Sequence, residues 1–228
     1  MNKPFYNIWT KNRLERIISL LGKEWFESKN ILELGACYGD IGKQFIELGS
    51  HLSFSDIRPQ FLNHLSNSYP GTNVYSIDQN KDYNLNQSFD LILHLGVLYH
   101  IENWKEDIKS ALNHTNLLIL ESIIYPSTED PEKVYHFDKD HPSPYISFHK
   151  KFKKIDEKSL ITYLNSLNVK YLRIDTPSMT TPFMHDHDHY YQKMLYGWDS
   201  SKLNFPLEYI QNEKNYFLIP RQMYLILK

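Results

Sequence analysis

An α/β fold, with a mostly parallel sheet covered by helices on both faces, is what this chain of 228 residues predicts. Three observations carry that expectation. Strand-like apolar runs alternate with helical patterns along most of the chain, the signature of a doubly wound sheet. Runs such as Phe89-Asp90-Leu91-Ile92-Leu93 are apolar enough to be covered on both sides, as parallel strands are. The first strand runs directly into a turn with glycines at Gly35 and Gly39 and then into an amphipathic helix. Glycine lacks a Cβ, so such a turn can bend sharply and let a ligand lie on bare backbone, beside the unpaired N–H groups of the helix.

The elements follow in order. Leu14, Ile17, Ile18, Leu21 and Trp25 fall on one face at three- and four-residue steps and predict a helix over 11–26. Ile31 to Leu34 is the first strand, and Ile41, Phe45 and Leu48 mark the buried stripe of the helix after the turn. His51 to Ser55 is the second strand, ending at Asp56; Pro59 suits the first turn of a helix that carries Phe61, Leu62 and Leu65 inward. Asn73 to Ile77 is the third strand, ending at Asp78, and Phe89 to Leu93 the fourth. Trp104, Ile108, Ala111 and Leu112 mark a helix, and Leu117 to Glu121 the fifth strand. Asp156 caps a helix carrying Leu160, Ile161, Leu164 and Leu167. Val169 to Ile174 and Tyr216 to Leu227 supply two last strands, with Pro220 implying a bulge or an edge in the second. No internal repeat or low-complexity linker appears, so 1–228 reads as a single domain with a helical extension over 1–29. The stretches 123–155 and 176–215 lack clear periodicity and are rich in Tyr and His; they read as insertions that line a ligand pocket or as ordinary surface loops.

Composition bounds the function. Hydrophobic content of 41% and charged content of 23% are those of a globular protein. A net charge of −2 and a pI near 6.6 disfavour a nucleic-acid partner. One cysteine excludes an intramolecular disulfide and fits a reducing compartment. The opening residues Met1 to Asn7 hold no apolar core of signal-peptide length and no run approaches a membrane span, so the expectation is a cytoplasmic protein without a membrane partner.

Ligands of doubly wound sheets sit at the carboxyl ends of the strands, and four consecutive strands here end at Glu33, Asp56, Asp78 and the His94-Leu95-Gly96 turn. Asp56 follows Gly35 by 21 residues, which places a carboxylate at the tip of the neighbouring strand, where it can accept from both hydroxyls of a ribose. The structural alternative is a helix cap before Arg58-Pro59. A dinucleotide needs a pyrophosphate cradle, usually Gly-x-Gly-x-x-Gly. Cys37 stands at the middle glycine position and Gly39 comes one residue late. Glu33 also sits near where phosphates would lie, which suits a ligand with a positive end. S-adenosylmethionine has an ammonium, a sulfonium and a ribose, and no phosphate.

The chain resembles the class I S-adenosylmethionine-dependent methyltransferases. The resemblance rests on Glu33-Leu34-Gly35-Ala36-Cys37-Tyr38-Gly39, Phe54-Ser55-Asp56, Ser76-Ile77-Asp78 and Phe89-Asp90-Leu91-Ile92-Leu93-His94-Leu95-Gly96-Val97-Leu98-Tyr99-His100, in order and at the right spacing. It covers a cofactor-binding core over 30–122. It implies a Rossmann-like sheet of about seven strands in the order 3-2-1-4-5-7-6 with the last strand antiparallel, that strand being Tyr216 to Leu227. It implies that Glu33, Gly35, Ala36 and Gly39 shape the wall for the methionine portion and that Asp56 holds the ribose with Ile57 against the adenine. Asp78 would then accept from the adenine amino group, and Leu95 and Gly96 would offer backbone near the methionine. Arg13 or Tyr6 would meet the methionine carboxylate.

The expected reaction is methyl transfer to a small molecule, at oxygen of a hydroxylated acceptor such as a sugar or phenol. In-line displacement depends on alignment, and a hydroxyl nucleophile gains from a base. His100, just past the fourth strand, is the candidate base; its alternative is local packing. Tyr38 or Tyr99 could face the sulfonium, with packing as the alternative. No Asn-Pro-Pro-Tyr or Asp-Pro-Pro-Tyr follows the fourth strand, which counts against amino groups of bases and amides. Candidate substrate residues are Tyr99, His136, His141, Tyr145, His185 and His189. His185-Asp186-His187-Asp188-His189 and the group His136, Asp138, Asp140 and His141 could ligate a metal, but a polar pocket for a hydroxylated substrate explains them at least as well, and no metal residue is assigned. The alternatives are a tRNA-modifying methyl- or carboxymethyl-type transferase, suggested by Gly96 to His100, an NAD-dependent oxidoreductase, and a non-catalytic cofactor-binding module. Oligomeric state and the acceptor's identity stay open.

Overall fold

The computed structural model describes residues 4–124, 134–136, 151–153, 155–175, 181–184, 216–219 and 221–228. Its centre is β1 (Asn30–Leu34), which pairs in parallel with β2 (His51–Asp56) on one side and β4 (Leu91–Leu95) on the other. β3 (Asn73–Ser76) continues the sheet beyond β2 and β5 (Leu117–Ile123) beyond β4, again in parallel. β11 (Arg221–Leu227) enters antiparallel between β5 and the edge strand β8 (Lys170–Arg173). The order is therefore β3-β2-β1-β4-β5-β11-β8, seven strands with one insertion from the end of the chain.

Alternation along the strands sends side chains to two cores. Leu32, Leu34, Ile92, Leu118, Leu120 and Ile226 face α4 (Trp104–Asn113) and α5 (Glu157–Ser166) and pack on Trp104, Ile108, Leu160 and Leu164. Ile31, Leu91, Leu93, Ile119 and Met223 face the other way, onto Ile17 of α1 (Pro4–Leu21) and Phe45 of α2 (Gly42–Glu47). α3 (Pro59–Ser68) opens with its proline at the first helical position and buries Phe61 and Leu65. Asp156 caps α5 as expected, accepting from the Ser159 amide at 2.9 Å.

Four expectations need correction. The first helix starts earlier, at Pro4, and stops at Leu21, because Gly22 takes φ +85 and only a short 3-10 turn, Lys23–Phe26, follows. The fourth strand begins at Leu91, not Phe89, since Phe89 makes only a single bridge to Thr115. His94 is thus inside the strand and fully buried, not in the turn after it. The long final strand is two strands. β10 (Tyr216–Ile219) pairs with β9 (Thr181–Met184) in a separate two-stranded sheet, and only β11 is inserted in the main sheet. Pro220 separates them in sequence, and proline has no N–H to continue a ladder. β6 (Val134–His136) and β7 (Lys151–Lys153), like β9, fall in stretches where no strand was expected. Among the described residues, no helix is long and apolar enough to cross a membrane.

Candidate functional site

The glycine turn leaves the centre of the sheet and is tied down from three sides. Gly35 has φ +63, and a Cβ there would stand 2.5 Å from Val97 Cγ2, so the turn can lie against the segment after β4 only without a side chain. The Ala36 amide donates to Ser55 O at 2.8 Å and lashes the turn to β2. Gly39 (φ +74) closes the turn by donating to Ala36 O at 2.8 Å. Cys37 is itself left-handed at φ 53, in the position where a dinucleotide cradle carries glycine.

Glu33 lies beneath this turn. Its Oε2 accepts from the Gly42 amide at 3.0 Å, and a Cβ on Gly42 would come within 2.5 Å of that oxygen. Burial pushes its carboxyl up to about 8, against the opposing pull of the Gly42 amide and of Arg13. At neutral pH Glu33 therefore does not present a full negative charge to a ligand. The sequence argument that it repels phosphate loses force, while the argument from Cys37 stands.

Asp56 at the tip of β2 is the opposite case. Its Oδ2 accepts from the Cys37 amide at 3.2 Å, and its Oδ1 accepts from the amides of Ile57 and Arg58, each at 2.9 Å. The Arg58 side chain closes on the same carboxylate, Nε to Oδ1 and Nη2 to Oδ2, both at 2.8 Å. Nη2 also donates to Cys37 Sγ at 2.9 Å, and the guanidinium lies 4.2 Å above the Phe61 ring. Ion pairing with Asp56 and the approach of Cys37 outweigh burial and raise the guanidinium's affinity for its proton. Burial dominates the other way at the Cys37 thiol, pushing it up to about 11, so it is no thiolate at neutral pH. Ile57 sits half-buried beside the pair.

The next strand end carries Asp78, whose Oδ1 accepts from the Asn80 amide at 3.2 Å and which pairs with Lys81 at 3.2 Å. Register places Ser76 opposite Asp56, so Asp78 lies just beyond the same end of the sheet. The buried Gln79 side chain turns inward and donates to Asp107 Oδ1 at 3.2 Å. His94 Nε2 meets Asp107 Oδ2 at 2.6 Å, so this histidine is held beneath α4 and is not aimed at a ligand.

Past β4, Gly96 takes φ +74 and donates to Glu121 O at 2.8 Å. Leu95 is buried before it, and a 3-10 turn, Leu98–His100, follows. The His100 ring is half-buried against the buried Tyr99 ring, with centroids 4.1 Å apart. The Arg221 guanidinium covers Tyr99 at 5.7 Å. Glu121 joins two arginines, Arg13 Nη1 at 3.0 Å and Arg221 Nη1 at 2.9 Å, with all three side chains buried. Arg13, the expected partner of a methionine carboxylate, is engaged by Glu121 and ties α1 to β5.

The structure thus brings Gly35, Ala36, Gly39, Asp56 and Ile57 together on one side and joins them through Val97 to Leu95, Gly96, Tyr99 and His100. Of the candidate substrate residues in the two long insertions, only the backbone of His136 is described, in β6; His141, Tyr145, His185 and His189 lie outside the described residues. Tyr6 has a described backbone only. Arg58 and the Glu121–Arg221 pair were missed. The signal for Arg58 was the two-residue step from Asp56, which returns a side chain to the same side of an extended segment. No comparable signal pairs Glu121 with Arg221, 100 residues away.

No protein-family model matches the sequence, and no curated protein matches it. Solved structures do. The YcgJ protein from Bacillus subtilis matches at a TM-score of 0.66 and 11% identity, over 94% of this chain and 97% of that one. The N-terminal domain of EvdMO1, crystallised with S-adenosylhomocysteine (SAH) and D-fucose present, matches at 0.61 and 15%, over 96% and 83%. Magnesium protoporphyrin IX methyltransferase from Synechocystis, with S-adenosylmethionine bound, matches at 0.58 and 11%, over 100% and 85%. At such identities the likeness is one of fold. The chain has the class I methyltransferase fold, with the strand order 3-2-1-4-5-7-6 and an antiparallel seventh strand.

Proposed function

We propose that this chain is an S-adenosylmethionine-dependent methyltransferase acting on a small molecule, at oxygen of a hydroxylated acceptor such as a sugar or phenol. The observation that carries the reading is the Asp56 carboxylate, fixed at the tip of β2 against the backbone of the Gly35–Gly39 turn by the Cys37 amide. A carboxylate at this place accepts from a ribose once the Arg58 side chain moves off it, beside bare main chain suited to the rest of the cofactor. The antiparallel β11 supports the same reading, because the dinucleotide-binding fold continues its order with a parallel strand.

In this reading the turn backbone and that of Leu95 and Gly96 flank the methionine portion. Ile57 covers the adenine and Asp78 accepts from its amino group. Glu33 acts from below, holding the turn to the start of α2, and Arg13 acts as the pin of α1. S-adenosylmethionine supplies a methyl group already activated for displacement, so the protein's task is alignment and removal of the acceptor's proton. In this reading His100, half-buried on the turn after β4, takes that proton.

The test is thermal. SAH at 100 times its dissociation constant stabilises a protein by about 2.7 kcal/mol. For a chain of this size that is a rise of roughly 5–10 °C. A shift with NAD and none with SAH overturns the reading. Labelled methyl transfer to a panel of sugars and phenols then tests the acceptor class. His100→Ala should lower turnover by about 10²–10⁴ while keeping SAH affinity. Cofactor binding with no product from any acceptor would leave a binding module in place of an enzyme.

A further inference from the structure

We infer that Arg58 is a latch that competes with the cofactor's ribose for Asp56, and so sets how tightly this protein holds its cofactor; the inference rests on the cofactor reading above. A carboxylate offers about four lone-pair positions. Asp56 already receives five donors, three backbone amides and two N–H groups of Arg58. With Arg58 in place, no position is left for a hydroxyl. With Arg58 withdrawn, the three amides remain and an acceptor position opens toward the turn.

The latch also occupies space. Nη2 bridges Asp56 Oδ2 and Cys37 Sγ at 2.8 and 2.9 Å, so the guanidinium spans the gap between the tip of β2 and the glycine turn. A sugar lying on that turn and bonded to Asp56 must enter the same gap. Arginine suits such a device because its planar fork matches a carboxylate at two points, so a hydroxyl enters only once the whole fork lifts off.

The latch has a place to go. Its side chain is only 13% exposed when closed, and its guanidinium already rests on the face of Phe61. Phe61 is held edge-on by Tyr38, with ring centroids 4.9 Å apart, and Tyr38 packs in turn on His64. Rotation off Asp56 gives up the two bonds to the carboxylate and the one to Cys37 Sγ, and the face of Phe61 can still hold the cation. Two arrangements of one side chain, one of them incompatible with ligand, lower the apparent affinity by the fraction of molecules that are open.

The experiment is titration calorimetry of SAH into the full chain, comparing the natural protein with Arg58→Met and Arg58→Lys, each checked for folding by its melting temperature. Met keeps an apolar stem over Phe61 and removes both side-chain donors while the residue 58 amide stays; Lys keeps the charge but cannot bond at two points. The expected result is SAH binding about tenfold tighter in Arg58→Met, with Arg58→Lys between it and the natural protein. The gain should vanish for the dideoxy analogue of SAH, which has no hydroxyls to compete for Asp56. Equal or weaker SAH binding in Arg58→Met, or an equal gain for the dideoxy analogue, overturns the latch while the cofactor reading stands. If neither the natural protein nor the variants bind SAH, both fall together.

Discussion

Glu33 and Asp56 end adjacent parallel strands, and both are almost fully buried, yet their surroundings treat them in opposite ways. Glu33 accepts one backbone amide and stands opposite Phe54 in the sheet, so desolvation dominates and its proton is held to about pH 8. Asp56 accepts three backbone amides and a two-point guanidinium. The difference shows what a buried carboxyl is for. One that is under-supplied with donors is a neutral brace. One that is surrounded by donors is a hydrogen-bond acceptor fixed at the strand's end.

The largest expected effect breaks the Asp56 side. Asp56→Ala removes the ribose's acceptor, and hydrogen bonds to a charged group contribute about 1.5–3 kcal/mol each. SAH affinity should fall by about 100-fold or more, read by calorimetry. The variant should also melt lower, because Arg58 loses its partner in a buried place. An unchanged affinity would mean that Asp56 merely braces the Ile57–Arg58 lead-in to α3.

Glu33 should respond to pH. Its folded pKa lies above its ordinary value of 4.5, so its contribution to stability is complete below that value. Stability is then lost as pH rises toward 8, because the unfolded chain releases a proton that the folded chain keeps. A pKa difference of one between folded and unfolded chain corresponds to about 1.36 kcal/mol, which sets a ceiling of about 5 kcal/mol on the loss above pH 8. Glu33→Gln keeps an acceptor for the Gly42 amide and cannot ionise. It should match the natural protein at pH 4.5 and exceed it increasingly toward pH 8, in urea titrations at several pH values. A gap independent of pH would show that Glu33 is ionised where it sits.

Gly42→Ala attacks the same seat sterically. A Cβ would meet Glu33 Oε2 at 2.5 Å and Leu52 and Phe54 at 2.6 Å. Overpacking of this kind costs about 3 kcal/mol, or roughly 6–12 °C by calorimetry. The smallest effect is at the rim. Tyr69→Phe loses the hydroxyl that donates to Tyr38 O at 3.1 Å. It should lower the melting point by about 2–4 °C and leave SAH affinity unchanged.

The first three strand ends, at the glycine turn, Asp56 and Asp78, were legible because each is local. A strand, a turn and a helix follow one another over a short stretch, and hydrophobic period and glycine placement mark them. Asp56 was legible from its distance to Gly35, a spacing fixed by one crossover. Arg58 reads as a helix preface because Pro59 follows it, although its guanidinium turns back on Asp56. His94 reads as part of a turn because an imidazole in an apolar run suggests an end; Asp107 and Gln79, from other elements, make it acceptable inside. The pairing of Arg13 with Glu121 was not legible, because the two stand 108 residues apart.

By itself, the sequence determined the class of fold, the position of the glycine turn and the carboxylate beside it. Those depend on periodicity, on glycine's missing Cβ and on crossover length, all properties of short stretches of chain. Only the tertiary structure decided that burial holds the proton on Glu33, that Arg13 meets Glu121 while Arg58 meets Asp56, and that β11 alone joins the main sheet. Burial and charge pairing depend on neighbours brought from distant segments, and those neighbours exist only once the chain has folded.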